Sequence, residues 1–141
     1  MKRTAKCHCG NLIVETVGDP EHIFMCHCEL CQRRTGTSYN LGAWFRAANV
    51  TVTGATKEYL RRGESGAEAI FHFCPNCGSN VYWQAEDILP QMVGVAVGCF
   101  ADPEFPKPSM SAYGKRQHRW LTLPQGVPSF LGAPNSEPDS H

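Results

Sequence analysis

The apolar residues of this chain come in short bursts, not in long stripes. Asn49-Val-Thr-Val-Thr53 alternates valine with polar residues and is then broken by Gly54, the period-two signature of a half-buried strand. Bursts of similar length at Asn11–Thr16, Leu41–Phe45, Tyr59–Arg62, Glu68–Phe73, Val81–Gln84 and Gln91–Phe100 predict further strands, with glycine, proline and asparagine between them to turn the chain. The pattern offers one helix, a short one over Glu29–Thr35 stopped by Gly36. A mainly β protein follows, with a single domain over residues 1–131. The last stretch, Gly132–His141 (GAPNSEPDSH), carries two prolines and no large apolar side chain, and is expected to be a disordered tail.

Composition narrows the class. A chain of 141 residues suits one domain that buries roughly two-thirds of its unfolded surface. Charged residues make up 18%, below the ~25% of ordinary globular proteins, so something besides surface charge helps hold the fold. Lys plus Arg equals Asp plus Glu at 13 each, and no basic tract stands out, which argues against a nucleic-acid partner. The start, MKRTAKCHCG, has no apolar stretch of a secretory signal, so a cytoplasmic location is expected. Met92–Ala101, the longest apolar run, is far short of the ~20 residues a membrane helix needs. In a reducing compartment, eight cysteines are better explained by metal than by disulfides.

Their spacing then carries the chemistry. Cys74-Pro-Asn-Cys77-Gly78 is a metal knuckle: two thiolates separated by a turn, with Pro75 setting its first residue and Gly78 relaxing its last. Two more ligands are needed, and Cys7-His-Cys9-Gly10 is the natural complement, because residues two apart on an extended segment face the same side. These four cysteines predict a structural zinc site that ties residue 7 to residue 77, and such an ion can add ~10 kcal/mol or more to folding.

Cys26, Cys28 and Cys31 remain as a group of three in C-x-C-x-x-C spacing. Cys99, His72, His118 or an external ligand could complete it. Cys99 reads as a core thiol in the apolar run Val95–Phe100, and His72 as a satisfied histidine in a strand, although it shares strand parity with Cys74. His8 and His27 sit between ligating cysteines and should point away from the metal. The odd count favours an open coordination position, the arrangement of catalytic rather than structural zinc. Three thiolates on one zinc leave excess negative charge, which suits holding another sulfur better than generating hydroxide. A thiol bound there would be deprotonated and usable as a nucleophile near neutral pH.

Taken together, Cys7-His-Cys-Gly10, Cys26-His-Cys-Glu-Leu-Cys-Gln-Arg33 with Gly36, Phe73-Cys-Pro-Asn-Cys-Gly78 and Trp120-Leu-Thr-Leu-Pro-Gln-Gly-Val-Pro-Ser-Phe130 resemble the glutathione-dependent formaldehyde-activating enzyme family, which also includes centromere protein V. The resemblance runs from about Thr4 to Phe130. It implies coiled antiparallel β-sheets of the zinc-binding β-tent type. A structural zinc on Cys7, Cys9, Cys74 and Cys77 and a catalytic or labile zinc on Cys26, Cys28 and Cys31 are implied as well, the latter three being the catalytic set. The activity it implies is the condensation of formaldehyde with glutathione to S-(hydroxymethyl)glutathione, formally a carbon–sulfur lyase run in reverse.

Arg33 and Arg34 are the nearest candidates for binding a glutathione carboxylate through paired hydrogen bonds, against a reading as solvated surface charges. Trp44, Phe45 and Trp120 could line a pocket, although aromatics in a β protein are core more often. The leading reading is therefore a zinc-dependent carbon–sulfur lyase-like enzyme acting on adducts of glutathione or another small thiol. The alternative is a non-catalytic, zinc-stabilised module that binds a small thiol or a protein partner; its chromatin version is disfavoured by the balanced charge. A redox enzyme comes last, because Cys99 is the only cysteine outside the two groups and its apolar neighbours raise a thiol pKa.

Overall fold

The computed structural model describes residues 1–63 and 66–139. Their strands are β1 (Lys2–Lys6), β2 (Ile13–Val17), β3 (His22–Cys26), β4 (Asn40–Arg46), β5 (Val50–Thr53), β6 (Lys57–Arg62), β7 (Glu68–Phe73), β8 (Asn80–Gln84), β9 (Met92–Ala96) and β10 (Met110–Ala112), with one α-helix, α1 (Glu29–Thr35). The chain is mainly β, as the burst pattern predicts. It forms two compact units, the first from Met1–Glu21 and Ala43–Phe105, the second from His22–Gly42 and the chain from Pro106 onward. No helix among the described residues is long and apolar enough to cross a membrane.

In the first unit β1 and β2 form an antiparallel hairpin, in register from Lys2 opposite Val17 to Lys6 opposite Ile13, and β5 pairs antiparallel on the other side of β2. Only alternate residues, Ala5, Val14 and Thr16, are buried, so one face of this small sheet is wet. Strands β4, β9, β8, β7 and β6 follow one another in the second sheet. Here β8 and β9 are buried along nearly their whole length, through Val81, Tyr82, Trp83, Met92, Val93 and Val95, which is why they read as continuous apolar runs. Trp83 packs edge-on to Trp44 at 6.4 Å and tilted against Phe71 at 6.1 Å. Burying each such side chain contributes about 1.5–3 kcal/mol. Gly94 lies opposite Trp83 in the register, and a Cβ there would run into the indole ring, so the close approach of these strands requires glycine.

The burst over Gln91–Phe100 does not stay extended. After β9 the chain tightens into a 3₁₀ turn at Val97–Phe100, and Ala101 takes a left-handed φ of 49°. The turn swings Phe100 onto Phe105 at 4.9 Å and Phe45 at 6.2 Å, an aromatic contact that a straight strand would forfeit.

The second unit contains β3, α1 and β10. Ile23 and Met25 are buried and their neighbours are not, a period-two strand that the preceding proline and the following cysteines disguise in the sequence. Its partner β10 runs parallel to it, with Ser111 beside Met25 and Ala112 beside Cys26, so the pairing is not antiparallel throughout. Helix α1 occupies the predicted span, and Gly36 closes it in the left-handed conformation, its N–H bonding the Gln32 carbonyl. Beyond Trp120 the chain returns along β10: Phe130 N–H bonds Ser111 O at 3.0 Å and Ser111 N–H bonds Pro128 O at 2.9 Å. Residues of the expected tail take part, with Leu131 N–H on Glu137 O at 2.8 Å and Asp139 N–H on Ser129 O at 2.9 Å. Those bonds are made by backbone groups, which a count of apolar side chains does not register. Ser140 and His141, the end of that expected tail, lie outside the described residues.

Candidate functional site

Both paired-cysteine motifs lie in hairpin connections of the first unit. Cys7 and Cys9 occupy the β1–β2 loop, not an extended segment as the spacing argument assumed. Cys7 N–H bonds Leu12 O at 3.0 Å, Gly10 N–H bonds Cys7 O at 3.1 Å, and Leu12 N–H reaches the Cys7 sulfur at 3.2 Å. The β7–β8 loop repeats this construction: Cys74 N–H bonds Ser79 O at 2.9 Å, Gly78 N–H bonds Cys74 O at 2.8 Å, and Cys77 N–H points at the Cys74 sulfur at 3.5 Å. In each loop a glycine takes positive φ, 85° at Gly10 and 80° at Gly78, which is what each tight turn demands. His8 N–H also donates to the Ser79 hydroxyl at 3.0 Å, joining loop to loop across 71 residues of sequence.

The four sulfurs converge. Cys9 Sγ is 3.6 Å from both Cys7 Sγ and Cys74 Sγ, and all four sulfurs, with Cys77, lie within 4.8 Å of one another. Tetrahedral ligation at a metal–sulfur distance of ~2.3 Å puts sulfurs about 3.8 Å apart, so this cage has the dimensions of a metal site with four protein ligands. The Ser79 hydroxyl, 3.3 Å from the Cys77 sulfur, and the Ser79 N–H lower the Cys77 thiol to about 5, favouring the thiolate that a metal requires. Neither neighbouring candidate joins the cage. His72 is buried and stacked flat on Tyr82 at 4.2 Å, its Nε2–H donating to Gln84 Oε1 at 2.9 Å. Cys99 lies 3.9 Å from the Asn80 carbonyl, and burial, then the nearby Cys7 and Cys77, push its thiol up to about 11.

The trio is assembled in the second unit at the junction of β3 and α1. Cys26 ends the strand, Cys28 is the helix N-cap, accepting the Cys31 N–H at 3.4 Å, and Cys31 is buried on the first turn. Their sulfurs too lie within 4.8 Å of one another, and among the described residues no fourth cysteine, histidine or carboxylate joins them. The Cys26 thiol is held far above its ordinary range, first by its hydrogen bonds to Cys28 and Cys31 and then by burial. Three sulfurs packed this closely either keep protons or take up a cation. Both cysteine groups could therefore hold a metal ion.

Support for the trio involves Gln32, Ser111 and Arg116, which sequence reasoning passed over. Gln32 Nε2–H donates to the His27 carbonyl at 2.8 Å and the Arg116 carbonyl at 3.2 Å, while its Oε1 accepts from His118 Nε2 at 2.8 Å. His118 is thereby engaged by α1 and is not a fourth ligand. His27 is fully buried, with Nε2 at 2.9 Å from the Ser111 hydroxyl, and it is not among the residues whose ligand atoms gather with the three sulfurs. Apart from the Gln32–His27 bond, these partners lie 84 to 86 residues apart, and nothing in local spacing announces them. The two arginines diverge: Arg33 is exposed and pairs with Glu29 at 3.5 Å, whereas Arg34 is half-buried with Nη2 3.8 Å from the Cys31 sulfur. Glu29 also meets Arg116 at 3.2 Å. Trp44 and Phe45 belong to the first unit's core, while Trp120 is 72% exposed and edge-on to His118 at 5.8 Å.

The sequence model of the glutathione-dependent formaldehyde-activating enzyme family matches residues 2–116, a span that includes every clustered cysteine and leaves Trp120–Phe130 outside. A crystal structure of a Rhodobacter sphaeroides protein, a structural-genomics target, is similar with a TM-score of 0.51 and 28% identity, covering 70% of this chain and 86% of that one. No curated protein matches. With most of its length matched and the motif cysteines gathered into two groups of metal-site dimensions, this chain belongs to the glutathione-dependent formaldehyde-activating enzyme family.

Proposed function

We propose that this chain is a two-zinc enzyme that makes and breaks adducts between an aldehyde and a small thiol, with glutathione and formaldehyde as the first pair to test. The observation that carries the reading is the contrast between the two sulfur groups: four sulfurs in one, three in the other with no further cysteine, histidine or carboxylate among the described residues. Cys7, Cys9, Cys74 and Cys77 would hold the structural ion and Cys26, Cys28 and Cys31 the catalytic one. Zinc at the trio would supply a position where a thiol is deprotonated and kept as thiolate.

In the reaction a sulfur lone pair attacks the carbonyl carbon, the C–S bond forms, and the C=O π pair moves to oxygen and takes a proton, giving the S-hydroxymethyl thioether. Run backwards this is a carbon–sulfur lyase reaction. The part played by the chain is to hold the trio and orient the thiol. Cys28 as N-cap and the Gln32 bridge fix the cysteines, and Arg33, exposed on the trio's helix, is the carboxylate binder we assign for glutathione. The cytoplasm, reducing enough to keep all eight cysteines free, is the setting this reading assumes.

The test is exchange NMR on mixtures of glutathione and formaldehyde, with and without the purified chain, beside a zinc count. Two ions per chain and faster adduct exchange that disappears in Cys28→Ser support the enzyme. Exchange unaltered by the protein supports the alternative, a zinc-stabilised module that binds a small thiol or a protein partner without catalysis.

A further inference from the structure

Two arginines stand side by side on α1, and helix geometry sends them to different tasks. Arg33 lies four residues from Glu29 and reaches back to it, whereas Arg34 lies three residues from Cys31 and shares its face. The outcome is visible in burial: the Arg33 side chain is 75% exposed, while Arg34 is drawn in with Nη2 3.8 Å from the Cys31 sulfur. A donor–sulfur approach of that length suits the large, diffuse sulfur acceptor.

The trio has an electrostatic problem that the four-cysteine cage solves differently. Around the cage, Leu12 N–H, Cys77 N–H and the Ser79 hydroxyl point at sulfurs. At the trio the Cys31 N–H points at the Cys28 sulfur, and the positive charge of Arg34 stands 3.8 Å from the Cys31 sulfur. Three thiolates with one divalent ion carry a net charge of −1, and a thiol arriving as thiolate would make it −2. The other charged groups at this helix, Glu29, Arg33 and Arg116, are paired among themselves at its exposed side.

We infer that Arg34 is the charge-compensating partner of the Cys26–Cys28–Cys31 group, a positioning residue that acts through Cys31 and sets how firmly the trio keeps a divalent ion. This rests on the two-centre reading above and reassigns Arg34 from carboxylate recognition to the metal's surroundings. Partners of this kind are commonly worth 10–100-fold in metal affinity.

The experiment is equilibrium competition for zinc between the full-length, zinc-loaded chain and the chromophoric chelator 4-(2-pyridylazo)resorcinol, for wild type, Arg34→Gln, Arg34→Lys and Arg33→Gln. Wild type should release two ions at well-separated chelator concentrations. Arg34→Gln should weaken the more labile ion about tenfold and leave the tighter one unmoved, Arg34→Lys should recover part of the loss through its charge, and Arg33→Gln should match wild type. The inference is overturned if Arg34→Gln leaves the labile ion unchanged, if Arg33→Gln weakens it equally, or if both ions loosen together, which would signal general destabilisation. A wild-type chain releasing only one ion overturns the two-centre reading itself, and Arg34's role with it.

Discussion

Removing Cys74 and Cys77 together should unfold the first unit, and the size of the effect follows from chain topology. Through Cys9 and Cys74 the sulfur cage links positions 65 residues apart. Treating the bound ion as a cross-link, the loop-closure entropy it removes from the unfolded chain is worth about 4 kcal/mol for a loop of that length. A domain of this size has a stability of only ~5–15 kcal/mol, and the metal–sulfur bonds add to the loss. Cys74→Ser with Cys77→Ser should therefore lower the melting temperature by about 15 °C or abolish a cooperative melt altogether. By contrast, the cysteines of the trio lie within a single strand–helix junction, where a cross-link closes a short loop worth about 2 kcal/mol. Cys28→Ser should thus melt much closer to wild type. The assay is thermal denaturation followed by circular dichroism, with zinc content measured on the same samples. A double variant that melts within about 3 °C of wild type, or a Cys28→Ser variant that falls as far as the double, would refute the division of labour.

Gly94→Ala places a methyl group against the buried Trp83 indole and should cost about 1–3 kcal/mol in urea denaturation; an unchanged midpoint would show that the strands have room to spare. Gln32→Ala removes the bonds to His27, Arg116 and His118, and should destabilise the chain by about 1–3 kcal/mol while loosening the labile zinc and sparing the tight one, as read by chelator competition. In the metal-loaded chain Cys99 should be the single alkylatable thiol, sluggish at pH 8 and gaining about tenfold per pH unit until near pH 11, as mass spectrometry of the modified peptide can follow. Because folding raises this thiol from 9.0 to about 11, its neutral form is the one the fold favours: that contribution is fully present below pH 9 and is lost as pH climbs through about 11.

Much of the fold could be read from short-range pattern. Glu68–Phe73 is a strand over the predicted residues, and Glu29–Thr35 with its Gly36 stop is the helix. The strands that escaped notice are those whose signal is weak or masked. In β1 only Ala5 is buried, β3 runs into a cysteine motif, and β10 has three residues and exists by pairing with β3. Gln91–Phe100 failed in the opposite sense, because an aromatic contact with Phe105 and Phe45 bends its second half out of the sheet.

The cysteine groups show where local information stops. C-x-x-C-G and C-x-C-x-x-C are short enough that covalent geometry and turn preference bring their own sulfurs together, so the grouping, and even the odd count of three, belongs to the sequence alone. Three-dimensional packing decided the rest. It set the β1–β2 loop against the β7–β8 loop and engaged His118 on Gln32, away from the trio. Such choices depend on which groups meet after 65 to 86 residues of intervening chain, and on which polar atoms must find a partner once water is gone.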